Sequence, residues 1–181
     1  MQLTSTDFRG LLSARFLNNF LPLPATPQFP LGQTLPDFQL PMVGQRAPVR
    51  LSDYRGQPVV IAFTRIFTAK QYCPLCHPHL KALAAAYDNI AALGAEVLLI
   101  TSTPPRQSKT VQQDLALAMP LLSDPSCHIF RRYSVGQALG APLPAQFVID
   151  AEGRLRFQHL FSFLHPNASP ERLMWAIRAL T

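Results

Sequence analysis

The alternation of apolar and polar positions divides the chain into a regular series of elements. Two continuous apolar runs, "PVVIAFTRI" (58–66) and "AEVLLITST" (95–103), have the pattern of strands buried on both faces. Between them, "CPLCHPHLKALAAAYDNIAALG" (73–94) has helical spacing and ends on a glycine. Pro78 falls in the second turn of that helix and should kink it. The run "PRQSKTVQQDLAL" (105–117) predicts a further helix, "MPLLSD" (119–124) a short strand, and "PSCHIFRRYSV" (125–135) a helix opened by proline and serine. "AQFVID" and "RLRFQHL", joined by the turn "AEG", predict an antiparallel hairpin. "SPERLMWAIRAL" closes the chain as a helix, with Pro170 and Glu171 suited to its first turn. Upstream, two short strands are expected around Gly44. The order strand, helix, strand, helix, hairpin, helix implies a mixed central sheet with helices on both faces.

The N-terminal part differs from the rest. Phe8, Leu11, Leu12, Phe16 and Phe20 lie near helical spacing over 5–21, with Asp7 in the first turn. An amphipathic helix is expected there, packed on the domain or on a second subunit. Residues 22–41 hold six of the chain's 18 prolines, and proline fixes its own torsion and excludes its predecessor from the helical region. That segment should be an extended connector along the surface. The expected organisation is a helix and connector over 1–33 and one domain over 34–181.

Composition narrows the function classes. A length of 181 residues supports one core, and 14% charged residues suit a compact globular protein. The net charge of +6 is scattered, with Arg131 and Arg132 its densest group, so nucleic acid is not an expected partner. No apolar run reaches the roughly 20 residues of a membrane helix, and no basic leader precedes an apolar stretch. The expected location is cytoplasmic. Paired thiols in a reducing compartment point to catalysis or metal binding rather than a structural disulfide.

The chemistry concentrates in "TAKQYCPLCHPH". At a helix start, unpaired backbone N–H groups and the helix dipole favour a thiolate, which is the reactive form of cysteine. Cys73 is therefore the candidate attacking thiol. Cys76, one turn on, can form a disulfide with it and is the candidate resolving thiol. Pro74 fits the first helical turn. Tyr72 can cover one side of the sulfur, and Lys70 and His77 are nearby cations able to lower its pKa. Cys73, Cys76, His77 and His79 are also a set of metal-ligand types, but four ligands on one short helical stretch point around the axis rather than converging. No metal and no cofactor is expected. Cys127, at another predicted helix start, is either a further redox thiol or a small packed side chain.

The combination "PDFQL…VRLSDYRGQPVVIAF…CPLC…SDPSCHIFRRYSV…PAQFVIDAEGRLRF" resembles the thioredoxin-fold redoxins. More narrowly, it resembles peroxiredoxin-like proteins of the alkyl hydroperoxide reductase/thiol-specific antioxidant family, of the type common in cyanobacteria. The resemblance covers residue 34 to the end and implies a thioredoxin-like α/β fold with an N-terminal helical extension. It also implies a proline with a cis peptide bond against the redox pair, at Pro144. Typical peroxiredoxins carry arginine at that position and threonine at the position of Lys70, and together these bind peroxide. Here Thr68, Arg65 and Arg132 are the nearest available groups. The resemblance with these departures implies a thiol–disulfide oxidoreductase first, served by a thioredoxin-like reductant or acting on protein disulfides. The alternatives are a thiol peroxidase reducing hydroperoxides and a non-catalytic redox-responsive binding module. Such redoxins often form homodimers.

Overall fold

The structure, a computed structural model, describes residues 13–180. Its centre is a five-stranded sheet in which β3 (Val59–Thr64) takes the middle position. On one side β3 pairs in parallel with β6 (Glu96–Thr101), which pairs in parallel with β7 (Leu121–Ser123). On the other side it pairs antiparallel with β10 (Ala145–Ile149), and β10 pairs antiparallel with β11 (Leu155–Leu160). The mixed sheet and the β10–β11 hairpin are as expected from the sequence. Upstream, β1 (Gln39–Pro41) and β2 (Pro48–Arg50) form the two short strands around Gly44.

Alternation along the central strands builds two cores. Val59, Ile61 and Phe63 face one way, with Phe130 and Tyr133 from around α4 (His128–Arg132). Val60 and Ala62 face the other way. There they meet Leu80, Leu83 and Ile90 of α2 (His77–Ala92), Val111 of α3 (Pro105–Asp114), and Leu173 and Ile177 of α5 (Pro170–Arg178). Both faces of β3 are thus covered, and all six of its residues are buried.

Two N-terminal expectations need revision. Helix α1 spans only Ala14–Asn18 and buries none of its residues; Phe8, Leu11, Leu12 and Asp7 lie outside the described residues. Its attachment is largely polar. The Arg15 guanidinium donates to the carbonyls of Ile66 and Phe67 and to Ser102 Oγ, and Asn19 is buried. Phe16 packs on Gly140, whose φ of +83° and missing side chain leave room for the ring. The connector is extended, as its prolines require, but it does not merely lie on the surface. Phe29 and Leu35 enter the first core, and Pro36 accepts a hydrogen bond from Tyr133 Oη at 2.6 Å.

Pro78 also sits differently from expectation. Helix α2 begins at His77 with Cys76 as its N-cap, so Pro78 lies in the first turn. A backbone N–H there has no partner within the helix, and its absence costs no hydrogen bond and imposes no kink. The segment from Cys73 to Cys76 is a separate turn ahead of the helix, and Pro74 lies in it.

Candidate active site

The apolar run of β3 continues past its end, but the strand does not. After Thr64 the chain passes through Arg65 into β4 (Ile66–Thr68), turns, and returns as β5 (Gln71–Tyr72) directly into the Cys73 turn. This small hairpin was not foreseen, because "TAKQY" is short and polar. It delivers Cys73 to the start of α2 close to the end of the central strand. The Cys73 carbonyl accepts from the Cys76 and His77 N–H groups, each at 2.9 Å, so the turn is closed by backbone bonds.

Both residues are nearly out of solvent, with Cys73 7% and Cys76 1% exposed, and both are free thiols. Their acidities diverge. The Cys76 thiol donates to the Cys73 sulfur, and this is the largest influence holding the Cys73 pKa well below the ordinary thiol range. Burial opposes the shift, while the Leu75 and Cys76 N–H groups and the positive charge of Arg65 assist it. Cys76 is pushed strongly upward because its proton is held by Cys73 and its sulfur is buried. The pair therefore favours losing its first proton from Cys73 and keeping the second on Cys76.

Arg65 is the cation that acts on the sulfurs. It is only 7% exposed, and burial lowers its pKa while the neighbouring cysteines raise it. One guanidinium nitrogen donates to the carbonyl of Ala138, the ring of Phe67 lies 4.9 Å from the guanidinium carbon, and Nε has no hydrogen-bond partner. The Thr64 hydroxyl is likewise buried without a partner. An arginine interrupting the run "IAFTRIF" was the available signal, since a charge among strand residues needs a partner. Lys70, by contrast, is exposed at the turn, where its N–H donates to Thr68 Oγ1 at 3.2 Å. His77 stacks on Tyr72 with ring centroids 5.0 Å apart, and burial raises the Tyr72 phenol to about 12.

A second group missed in the sequence fixes the turn from outside. Gln146, fully buried in β10, donates from Nε2 to Asn167 Oδ1 at 2.9 Å, and its Oε1 accepts from the Ala168 N–H at 2.8 Å. Asn167 Nδ2 in turn donates to the Leu75 carbonyl at 3.3 Å. That carbonyl and the Cys76 N–H belong to one planar peptide and point to opposite sides. Holding the oxygen at Asn167 therefore turns the N–H towards Cys73.

Pro144 corrects one expectation. It is buried and precedes Ala145, which pairs with Phe63, so it lies across from the end of β3. The Leu143–Pro144 bond, however, is trans. Trans and cis differ by only about 0.5–1 kcal/mol before proline, so the surroundings decide between them. Here the Leu143 N–H is engaged by the Gly136 carbonyl at 3.0 Å.

Cys127 stands apart from this cluster. It adopts φ +55° ahead of α4, is 1% exposed, and receives only a long contact from Asn19 Nδ2, 3.7 Å. Burial and the Asp124 carboxylate push its thiol up to about 11. Among the described residues no group of three His, Cys, Asp or Glu side chains could hold a metal ion, and no helix is long and apolar enough to cross a membrane.

A parallel-and-antiparallel sheet with a paired thiol before its first long helix is the arrangement of a thioredoxin-like fold. Residues 31–158 match the AhpC/TSA family, and the chain belongs to it. It is 31% identical over 124 residues to peroxiredoxin Q, chloroplastic, of Sedum lineare, covering 67% of this chain and 64% of that protein. It is 29% identical over 139 residues to the putative peroxiredoxin ycf42 of Trieres chinensis, covering 70% and 65%. In both cases the match spans slightly less than two thirds of the relative. Among solved structures, peroxidoxin BcpB from Mycobacterium tuberculosis superposes with a TM-score of 0.73 at 23% identity, over 85% of this chain and 99% of that one, which supports the fold.

Proposed function

We propose that the protein is a thiol peroxidase in which Cys73 attacks the peroxide and Cys76 resolves the product. The observation that carries this reading is the buried Arg65 guanidinium, which helps lower the Cys73 pKa and whose Nε–H is free to donate to an incoming oxygen. The Cys73 thiolate attacks the distal oxygen of ROOH, and the O–O bond breaks. RO⁻ leaves and takes a proton from water, and Cys73 becomes a sulfenic acid. The Cys76 thiol condenses with it, forming the disulfide and releasing water. A thioredoxin-like dithiol then returns both thiols by exchange. Arg65 stabilises charge on the departing oxygen, a role for which a preorganised buried cation is suited. The names of the two relatives support the same chemistry.

Exchange with a protein disulfide as primary substrate takes second place. The pair has the acidity pattern it needs, but a folded partner must reach the sulfur of a residue only 7% exposed. A binding module without turnover gives no reason to hold a thiolate. A reducing compartment such as the cytoplasm is consistent with three free thiols.

The test is stopped-flow mixing of reduced protein with hydrogen peroxide, following Trp175 fluorescence and thiol loss. The expected result is oxidation far faster than that of free cysteine, absent in Cys73→Ser and arrested at the sulfenic acid in Cys76→Ser. Oxidation no faster than free cysteine would overturn the reading.

A further inference from the structure

Arg65 rests on two supports, and both are fastened to the segment 15–20. One support is Phe67, whose ring lies 4.9 Å from the guanidinium carbon. The other is the hairpin of β8 (Gln137–Ala138) and β9 (Ala141–Pro142), where the Ala138 and Leu139 carbonyls accept from Arg65 Nη2. The segment 15–20 lies outside the 31–158 stretch that matches the family, so the supports are secured from beyond it.

Arg15 secures the first support. The β4–β5 register slips between Ile66, which faces Tyr72, and Thr68, which faces Gln71, so Phe67 forms a bulge. Successive carbonyls of a regular strand point to opposite sides, and one planar group cannot meet both. The bend of the bulge brings the Ile66 and Phe67 carbonyls to a single guanidinium. Arg15 Nη1 donates to the Ile66 carbonyl at 3.1 Å and to Ser102 Oγ at 2.6 Å, while Nη2 donates to the Phe67 carbonyl. Ser102 directly follows β6, so the fork ties the bulge to the end of the neighbouring parallel strand. The second support is secured by backbone. The Leu139 N–H donates to the Phe20 carbonyl and the Gly140 N–H to the Asn19 carbonyl, each at 3.0 Å.

We infer that Arg15 is a positioning residue for the chemistry at Cys73: by gripping both carbonyls of the Phe67 bulge, it holds the Arg65 guanidinium in place beside the redox pair. This rests on the peroxidase reading above. A bulge held only by its own two short strands can flatten, and flattening swings the Phe67 ring off the guanidinium. Arg65 would then keep its hairpin carbonyls but lose the surface that fixes its plane and aims its free Nε–H. The grip needs a planar fork. A lysine ammonium keeps the charge but presents its donors from one point, so it is not an equivalent replacement.

The experiment is a double-mutant cycle on the full chain, reading the rate constant of Cys73 oxidation by hydrogen peroxide and the pH midpoint of Cys73 alkylation. Arg15→Ala should slow oxidation about fivefold and raise the midpoint, and Arg15→Lys should do nearly the same. In the Arg65→Gln background, Arg15→Ala should change neither quantity further, because the group it positions is gone. Equal effects in both backgrounds would mean that Arg15 acts on its own or through general stability, and would overturn the inference. Wild-type values in either Arg15 variant would overturn it too. Should Arg15→Ala fail to fold, Arg15→Lys takes its place in the cycle. If the wild-type protein reacts with peroxide no faster than free cysteine, the peroxidase reading fails, and the alkylation midpoints alone then decide whether Arg15 positions Arg65.

Discussion

Cys73 and Cys127 occupy comparable places and behave in opposite ways. Each lies just ahead of a helix, and each is almost fully buried. On the helix-start argument alone both thiols should be acidified. The Cys73 thiol is lowered, because the Cys76 thiol, two backbone N–H groups and Arg65 all favour its charged form. The Cys127 thiol is raised, because burial and the Asp124 carboxylate outweigh the positive charges of Arg15 and Arg131 and the long contact from Asn19. Asp124 is also the group that satisfies the start of α4, accepting from the His128 and Ile129 N–H groups. The N–H groups that might have served a thiolate at Cys127 are spent on a carboxylate. A helix start thus acidifies a cysteine only where its donors are left for the sulfur.

The broadest way to break this comparison is to alkylate the reduced protein with iodoacetamide and resolve the sites by peptide mass spectrometry. At neutral pH Cys73 should react about a hundredfold faster than Cys127 or more, from both acidity and access. The sign of the pH dependence separates those causes. Alkylation follows the thiolate, so Cys73, already ionised, should stay nearly flat as pH rises through the ordinary thiol value of about 8.5, while Cys127 accelerates. Equal pH profiles would remove the distinction.

Removing the cation sharpens the comparison. Arg65→Gln should raise the pH midpoint of Cys73 alkylation and slow its peroxide reaction at neutral pH about tenfold or more, leaving Cys127 unchanged. An unmoved midpoint would mean that Cys76 and the backbone alone hold the thiolate.

The smallest effect concerns the peptide behind the sulfur. Asn167→Ala should raise the Cys73 midpoint by a few tenths of a unit, lowering the thiolate fraction near the midpoint by up to about twofold, with the thermal transition little changed. A fall in stability without a midpoint shift would make the link from Gln146 through Asn167 to Leu75 merely structural.

Parts of this site were legible from the chain alone. The Cys73 and Cys76 spacing, the buried run leading to them and the β10–β11 hairpin are local patterns, and local patterns survive folding when both faces of a strand must be covered. Arg65 was visible as an anomaly in an apolar run, but its partners were not, because Ala138 lies 73 positions away. Lys70, closer in sequence to Cys73, attracted the role instead. Exposure at the hairpin tip leaves its charge to solvent, where screening is strongest.

The sequence by itself determined the order of strands and helices, the position of the paired thiols before the first long helix, and the family. Periodicity and motif spacing act over a few residues and carry that information directly. Only the tertiary structure decided which cation meets the sulfur, which side chain orients the Cys76 peptide, that the Pro144 bond is trans, and that the segment 15–20 fastens both supports of Arg65. Each of these joins segments tens of residues apart or turns on about a kcal/mol between local alternatives, and such choices are made by packing rather than by neighbours in the chain.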